Sequence, residues 1–295
     1  MPPHNESAMQ VTAPCPACGA DAFRFAFLKR GCRFERCLRC GVMRQNPQIV
    51  DLAEAYADAY RTGEYAFFAS ATGIRRAIAE LRLRAVMRAH PRARRWLDLG
   101  ASTGAFVAAA GAALATRGDG GVAEGVEFAP EAVAAARAEG LAVFQSTVED
   151  FVVETPYDVI TAFDVLEHLR DPAVLLERAR SWLAPGGILA VTVPNLGSVP
   201  SLFMGRHWYF IAPDHLHYFD AGTLRQVFQR NGFAVRDIAT TYKVLTIDYA
   251  IGALRDRNPW LARIADLPSR LLPASLRDRP WQVPVGEMLA IAAPA

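Results

Sequence analysis

The chain has 295 residues, 52% of them hydrophobic, with 32 Lys or Arg against 30 Asp or Glu, a net charge of +2. That is apolar material for one large domain with an appendage, and it excludes a disordered or polyelectrolyte chain. No stretch approaches the ~20 consecutive apolar residues of a membrane span, and the start, MPPHNESAMQVTAP, lacks the charged and apolar regions of a secretory signal, so a cytoplasmic location is expected.

The near-neutral total hides two basic segments. Seven Lys or Arg stand against Glu35 alone between Arg24 and Arg44, and eight Arg against Glu80 alone between Ile74 and Arg95, leaving 17 basic and 28 acidic residues elsewhere. Such segments permit an anionic partner, and they equally fit solvated faces of an Arg-rich protein.

Four of the five cysteines form the pairs Cys15/Cys18 and Cys37/Cys40, with 18 residues between the pairs. Two C-x2-C turns at that separation match a zinc ribbon, in which four thiolates meet at one tetrahedral ion. A glycine follows each pair, Gly19 and Gly41, and can take the positive φ of a tight turn that aims N–H groups at sulfur. Disulfides are the competing reading, disfavoured in a reducing compartment. A four-thiolate site is closed, so the zinc is structural. Phe23, Phe25 and Phe27 alternate as on a half-buried strand with Phe34 packed on them, while stacking of nucleobases is the alternative use of these aromatics. Cys32 falls outside the pattern.

Residues 51–60 have a helical pattern, and in the next helix Ile74, Ile78, Leu81 and Ala85 fall on one stripe, with arginines over the rest and Pro91 ending it. Strands are expected at 95–99, 122–127, 141–144, 157–163 and 188–193, with helices at 106–115, 130–139 and 172–183 between them. The alternation predicts an α/β parallel sheet with helices on both faces. Strands near 233–238 and 285–292 complete it, flanking an apolar helical insertion at 244–272 whose Tyr242, Leu245, Tyr249, Leu254, Trp260 and Leu261 are expected to be buried.

The segment RRWLDLGASTGAF, Arg94 to Phe106, ends a strand and opens a helix, which is where an open α/β sheet binds its ligand. It carries neither the G-x-G-x-x-G of a dinucleotide site nor the GK[ST] of a phosphate loop, and Asp98 would repel a pyrophosphate. An acid there suits a ligand with a cationic amino-acid end.

Asp98-x-Gly100-x-x-x-Gly104 resembles the first motif of the class I S-adenosylmethionine-dependent methyltransferases, and GVEFAPEAVAAAR, STVEDF, YDVITAFDVLEHLRDP and LAPGGILAVTVPN follow in that family's order. The resemblance covers about residues 94–240 and implies a Rossmann-like seven-stranded sheet preceded by a small zinc ribbon. It implies that Gly100, Ser102 and Gly104 pass close to the methionine moiety, that Asp98 holds its amino group, and that Glu127 accepts from the ribose hydroxyls. Phe128, Val148 and Glu149 would flank the adenine, and Ala162 and Phe163 would line the cofactor. Ser102 stands where many members have glycine, and Thr147 where many have an acid. The implied division is a flexible N-terminus at 1–13, the zinc module at 14–46, linker and cofactor-covering helices at 47–93, and the methyltransferase domain at 94–295.

Methyl transfer needs an aligned acceptor and, for most nucleophiles, a base. GRHWYFIAPDHLHYFDAGTL holds His207, Trp208, Tyr209, Phe210, His215, His217 and Tyr218. Similar segments cover the acceptor in bacterial members of the family, so His215 is the first choice of base, oriented by Asp214 or a neighbour, with His168 a second candidate that fits packing or capping as well. A metal role for His215 and His217 lacks a third ligand at a suitable spacing. The architecture resembles bacterial small-molecule methyltransferases acting on sugar, cell-envelope or secondary-metabolite acceptors, although the sugar enzymes carry a further domain for which this length leaves no room. RNA methylation docked through the zinc module is the alternative, weakened by the absence of an Asn-Pro-Pro-Tyr-like motif; a non-catalytic cofactor-binding partner is the third reading.

Overall fold

The structure is a computed structural model and describes residues 9–10, 14–49, 71–118, 120–257 and 259–295. The helical pattern expected at 51–60 and most of the N-terminus at 1–13 lie outside the described residues.

The strands are β1 (Met9–Gln10), β2 (Phe23–Lys29), β3 (Cys32–Cys37), β4 (Met43–Gln45), β5 (Gln48–Ile49), β6 (Arg95–Leu99), β7 (Val122–Glu127), β8 (Val143–Gln145), β9 (Tyr157–Phe163), β10 (Leu183–Pro194), β11 (His217–Tyr218), β12 (Phe233–Leu245) and β13 (Trp281–Pro294). The α-helices are α1 (Thr72–Ala89), α2 (Ala105–Arg117), α3 (Pro130–Ala138), α4 (Pro172–Trp182), α5 (Val199–Met204), α6 (Ala221–Arg230), α7 (Ile247–Arg257), α8 (Pro259–Ser269) and α9 (Ala274–Arg277).

Seven strands form one sheet in the order β12-β13-β10-β9-β6-β7-β8. β6 to β10 are parallel to one another, and β13 runs antiparallel to both β10 and β12. The period of two along each strand builds a core on each face. Leu97, Leu99, Ile160, Leu189, Val191 and Ala290 join one cluster, whereas Trp96, Val159, Ile188, Ala190 and Leu289 join the other. Burial on both faces is why these strands are nearly continuous apolar runs in the sequence. Helix starts follow local chemistry: Asp171 caps α4 by accepting from Ala173 N–H with Pro172 in the first turn, and Asp220 and Thr223 cap α6 reciprocally.

The stripe expected on α1 is corrected. Its buried residues are Ala79, Leu83 and Val86, while Ile74, Ile78, Leu81 and Ala85 are only partly covered. Arg82 is on the inner side with them, its side chain 11% exposed, because it pairs there with Asp164, just beyond β9, and lies 4.0 Å from Glu287 on β13. The expected burial of the 244–272 insertion is also corrected. Leu245 and Tyr249 are partly buried, Tyr242 on β12 is 40% exposed, and Trp260 is 68% exposed because α8 packs through the small Ala262 and Ser269 instead; the side chains of Leu254 and Leu261 lie outside the described residues.

A second sheet of four strands, β11-β4-β3-β2, carries the cysteine pairs at one end. The Phe alternation holds in part. A register shift between Phe25 and Phe27 lets Phe27 turn onto the buried Phe34, ring centroids 5.0 Å apart, while Phe25 stays 51% exposed. The sheet's fourth strand, β11, comes from residue 217 onward, far from the module in sequence; it pairs His217 with Arg44 and Tyr218 with Met43.

Candidate functional site

Three features converge at the carboxyl ends of the parallel strands. β6 ends on Leu99 and the chain turns at Gly100, whose φ is +73° and whose missing Cβ would lie 2.5 Å from Val165 Cγ2. Gly104, at φ +81°, closes the turn before α2, where an added Cβ would lie 2.5 Å from Leu141 Cδ1. Only glycine fits both demands, and the result is a tight turn whose backbone packs against Val165 and Leu141 at the carboxyl end of β6. Ser102 also has positive φ, and Arg75 from α1 donates to the Thr103 hydroxyl, so α1 lies over this loop.

The two strand-end acids flank the loop. Asp98 is 5% exposed and accepts a 2.6 Å hydrogen bond from the Thr161 hydroxyl. Burial pushes its carboxyl up to about 7, against the pull of Thr161 and of the Arg82 charge. Glu127 accepts from Ser102 N–H at 2.8 Å and Ala129 N–H at 2.9 Å, and burial raises its carboxyl as well. Phe128 and Val148 are partly buried, Glu149 is exposed, and Thr147 binds Asp150. Ala162 and Phe163 sit in the core: Phe163 packs edge-on to Phe106 with Arg82 over its ring.

Beyond β9 the chain makes a 3₁₀ turn at Leu166–His168. His168 Nδ1–H donates to the Asp214 carbonyl at 2.8 Å, and its ring meets His215 edge to face at 4.6 Å. Asp214 thus engages His168, with its carboxylate 3.8 Å from the same nitrogen. Glu167, His168 and His215 bring their ligand atoms within 4.8 Å of one another, close enough to hold a metal ion. The third partner that spacing did not offer His215 therefore comes from another part of the chain. His217 is used differently: its Nε2 is 3.1 Å from the Arg170 carbonyl, and burial lowers its pKa to about 4, so it stays neutral.

A partly buried ionic group follows the end of β9. Asp164, at φ +58°, is held by the Thr192 hydroxyl, and its Oδ2 accepts from Arg82 at 2.6 Å and from Lys243 at 2.8 Å. Lys243 also meets Glu287 Oε1 at 2.9 Å. Arg82, Asp164, Glu167, Lys243 and Glu287 are absent from the motif-based reading because they come from α1, the end of β9, the 3₁₀ turn after it, β12 and β13; the local signal was a pair of acids in FDVLEH.

In the cysteine module, Cys15 and Cys40 sulfurs are 3.5 Å apart and Cys18 and Cys37 sulfurs 3.6 Å apart, with all four within 4.8 Å. A tetrahedral ion with S at about 2.3 Å has sulfur edges of roughly 3.8 Å, so the donor set fits zinc. Cys37 is pulled down to about 7: burial acts to raise it, and the N–H groups of Cys40 and Arg39 overcome that. Cys32 lies apart, buried beside Phe34 and Trp208, and burial pushes its thiol up.

Solved structures share the fold at low identity. A SAM-dependent methyltransferase from Thermotoga maritima, described as a possible histamine N-methyltransferase, superposes with a TM-score of 0.53 at 16% identity, over 83% of this chain and 100% of that one. The plantazolicin methyltransferase in complex with a triazolic analogue and SAH gives 0.53 at 16%, over 81% and 95%. Among curated relatives, a ubiquinone biosynthesis O-methyltransferase from Nitrobacter winogradskyi is 31% identical over 107 residues, covering 31% of this chain and 38% of that protein. A trans-aconitate 2-methyltransferase from Mycobacterium tuberculosis is 34% identical over 110 residues, 37% of this chain and 41% of that protein. The chain thus spans well under two thirds of these relatives' lengths. The family model described as a methyltransferase domain matches residues 70–238, more than half of the sequence, and the chain belongs to that family.

Proposed function

We propose that the protein transfers a methyl group from S-adenosylmethionine to a small-molecule acceptor of the sugar, cell-envelope or secondary-metabolite kind. The observation that carries this is the placement of two buried acids, Asp98 and Glu127, at the ends of adjacent strands on either side of the Gly100–Gly104 backbone loop. Asp98 would hold the donor's amino group, and Glu127 the ribose hydroxyls. The donor supplies an electrophilic methyl. The chain's own residues position it, hold the acceptor and take up its proton, with His215 or His168 as base. The basic segments fit an anionic acceptor. Cys15, Cys18, Cys37 and Cys40 would hold a structural zinc ion that keeps the module folded.

Calorimetric titration with S-adenosylmethionine tests the donor site. The wild type is expected to bind, and Asp98→Ala and Glu127→Ala to lose at least about tenfold in affinity, equivalent to 1.4 kcal/mol. Absence of binding by the wild type under several buffer conditions sinks the reading.

A second reading, RNA methylation, draws on Phe25, Leu28 and Leu38, which are 51%, 63% and 61% exposed among the arginines of the module. Salt-dependent binding of a single-stranded oligoribonucleotide, abolished by Phe25→Ala with Arg36→Ala, would favour it over the small-molecule assignment.

A further inference from the structure

Glu167 is a buried carboxylate that the fold leaves uncompensated. It is 1% exposed, and among the described residues its Oε2 lacks a hydrogen bond. The cations beside it are engaged elsewhere: Arg82 reaches Asp164 at 2.6 Å, and Lys243 reaches Asp164 at 2.8 Å and Glu287 at 2.9 Å. With Glu167 included, two cations, Arg82 and Lys243, stand against three carboxylates. A buried, unpaired carboxylate oxygen is costly, and a bound cation removes that cost.

Two imidazoles share the space with this carboxylate. One ligand atom each of Glu167, His168 and His215 lies within 4.8 Å of the others, and the two rings meet edge to face with centroids 4.6 Å apart. A tetrahedral ion with nitrogen and oxygen ligands at about 2.1 Å has ligand edges of roughly 3.4 Å, so these side chains close on it by rotamer adjustment. His168 is oriented as a metal-bound histidine is. Its Nδ1–H donates to the Asp214 carbonyl at 2.8 Å, which fixes the tautomer and leaves the Nε2 lone pair for an ion. The His168 side chain is 14% exposed, so solvent reaches the group.

Backbone bonds hold these residues together and set them beside the expected donor. The Glu167 carbonyl accepts from Leu216 N–H at 2.8 Å, which joins the 3₁₀ turn to the residue after His215. His168 N–H donates to the Val165 carbonyl at 3.0 Å, and Val165 Cγ2 is the atom that a Cβ on Gly100 would meet at 2.5 Å. Glu167 and His168 thus stand one short turn from the Gly100 loop, with His215 held against them.

We propose that Glu167, His168 and His215 bind one divalent ion of the zinc class in an open site, whose remaining position takes an oxygen of the acceptor. Two histidines and one carboxylate are a donor set of open zinc sites, in contrast to the closed four-thiolate module. The acceptor part of this assignment rests on the methyltransferase reading above; the ion itself does not. An ion held there acts as a Lewis acid that lowers the pKa of a bound hydroxyl. That hydroxyl gives its proton to water, its oxygen forms the O–C bond as the S–C bond of the donor breaks, and the bonding pair stays on sulfur. His168 and His215 then serve as ligands, and they act as bases only in the metal-free chain.

The test uses the full chain carrying one equivalent of zinc, which the four soft thiolates take first. Titration with cobalt(II) is then expected to give visible absorption that saturates at one further equivalent, without the near-ultraviolet sulfur-to-cobalt band that thiolate ligation would add. His215→Ala should abolish the absorption. Glu167→Gln, which keeps the side chain's shape, should weaken cobalt binding at least about tenfold. Retention of the thiolate-held zinc shows that each variant is folded, and if His215→Ala loses it, His168→Gln takes its place. Azide should alter the cobalt spectrum by entering the open position. Absence of the absorption up to millimolar cobalt, a spectrum dominated by sulfur bands, or absorption that both substitutions leave unchanged would each overturn the site. A spectrum indifferent to azide would overturn its open position. S-adenosylmethionine titration of the same samples separates the two levels: donor binding without the cobalt signal removes only the metal site, whereas a cobalt signal without donor binding removes the methyltransferase reading and the acceptor role with it.

Discussion

Asp98 shows the conflict a single residue can carry. Burial raises its carboxyl to about 7, so between about pH 4, where an unfolded Asp ionises, and about pH 7 the folded chain keeps a proton the unfolded chain has lost. A raised acid of this kind favours folding most below the unfolded pKa, and its contribution falls as pH rises toward 7, by up to about 4 kcal/mol for three pH units. Asp98→Asn removes the titration and keeps an acceptor for the Thr161 hydroxyl. The ligand-free variant should melt several degrees above wild type at pH 8, with the gap closing toward pH 4, and it should lose donor affinity at every pH. Scanning calorimetry at both pH values checks this, and an equal gap at pH 8 and pH 4 would contradict it.

At the scale of elements, the segment from Trp208 to Phe219 is pinned from two directions. Its end is β11, paired with β4 of the cysteine module, and the Tyr218 hydroxyl donates to the Ala212 carbonyl and accepts from the Ala212 N–H, both at 3.1 Å. Trp208 and Tyr218 are fully buried with Phe34 and Met43 beneath them. The segment that carries His215 is therefore shaped by the module rather than by the methyltransferase sheet alone. Tyr218→Phe deletes both hydroxyl bonds at a cost of about 1–2 kcal/mol. Amide exchange at Ala212 should accelerate while S-adenosylmethionine affinity stays within twofold; unchanged exchange at Ala212 would show that the hydroxyl does not fix the segment.

For the whole molecule, the cysteine module does not stand apart. Cys15, Ala17, Cys37 and Val42 belong to the same buried cluster as Phe219, Leu224, Val227 and Phe228. Thermal unfolding should accordingly be one cooperative transition. Stripping the proposed zinc ion with a chelator, or substituting Cys37→Ser, should lower its midpoint by roughly 10 °C or more, several kcal/mol at about 2–4 °C each. Two well-separated transitions in calorimetry, with only the smaller one sensitive to the chelator, would show an independent module instead.

What the sequence determined was what local chemistry dictates. The cysteine spacing, the Asp98-to-Gly104 loop and the alternation of apolar strands with helices each follow from neighbours within a few residues, so the sheet, the strand-end acids and the four-sulfur cluster were legible there. Tertiary structure alone decided which face of α1 is buried, that Trp260 stays at the surface, that β11 completes the module's sheet, and that Glu167 joins His168 and His215. It also decided the Arg82, Asp164, Lys243 and Glu287 group, whose members are up to 205 positions apart. The reason is physical: the energy of a buried charge depends on which opposite charges the packing brings within a few ångströms, and no period or spacing along the chain encodes that distance.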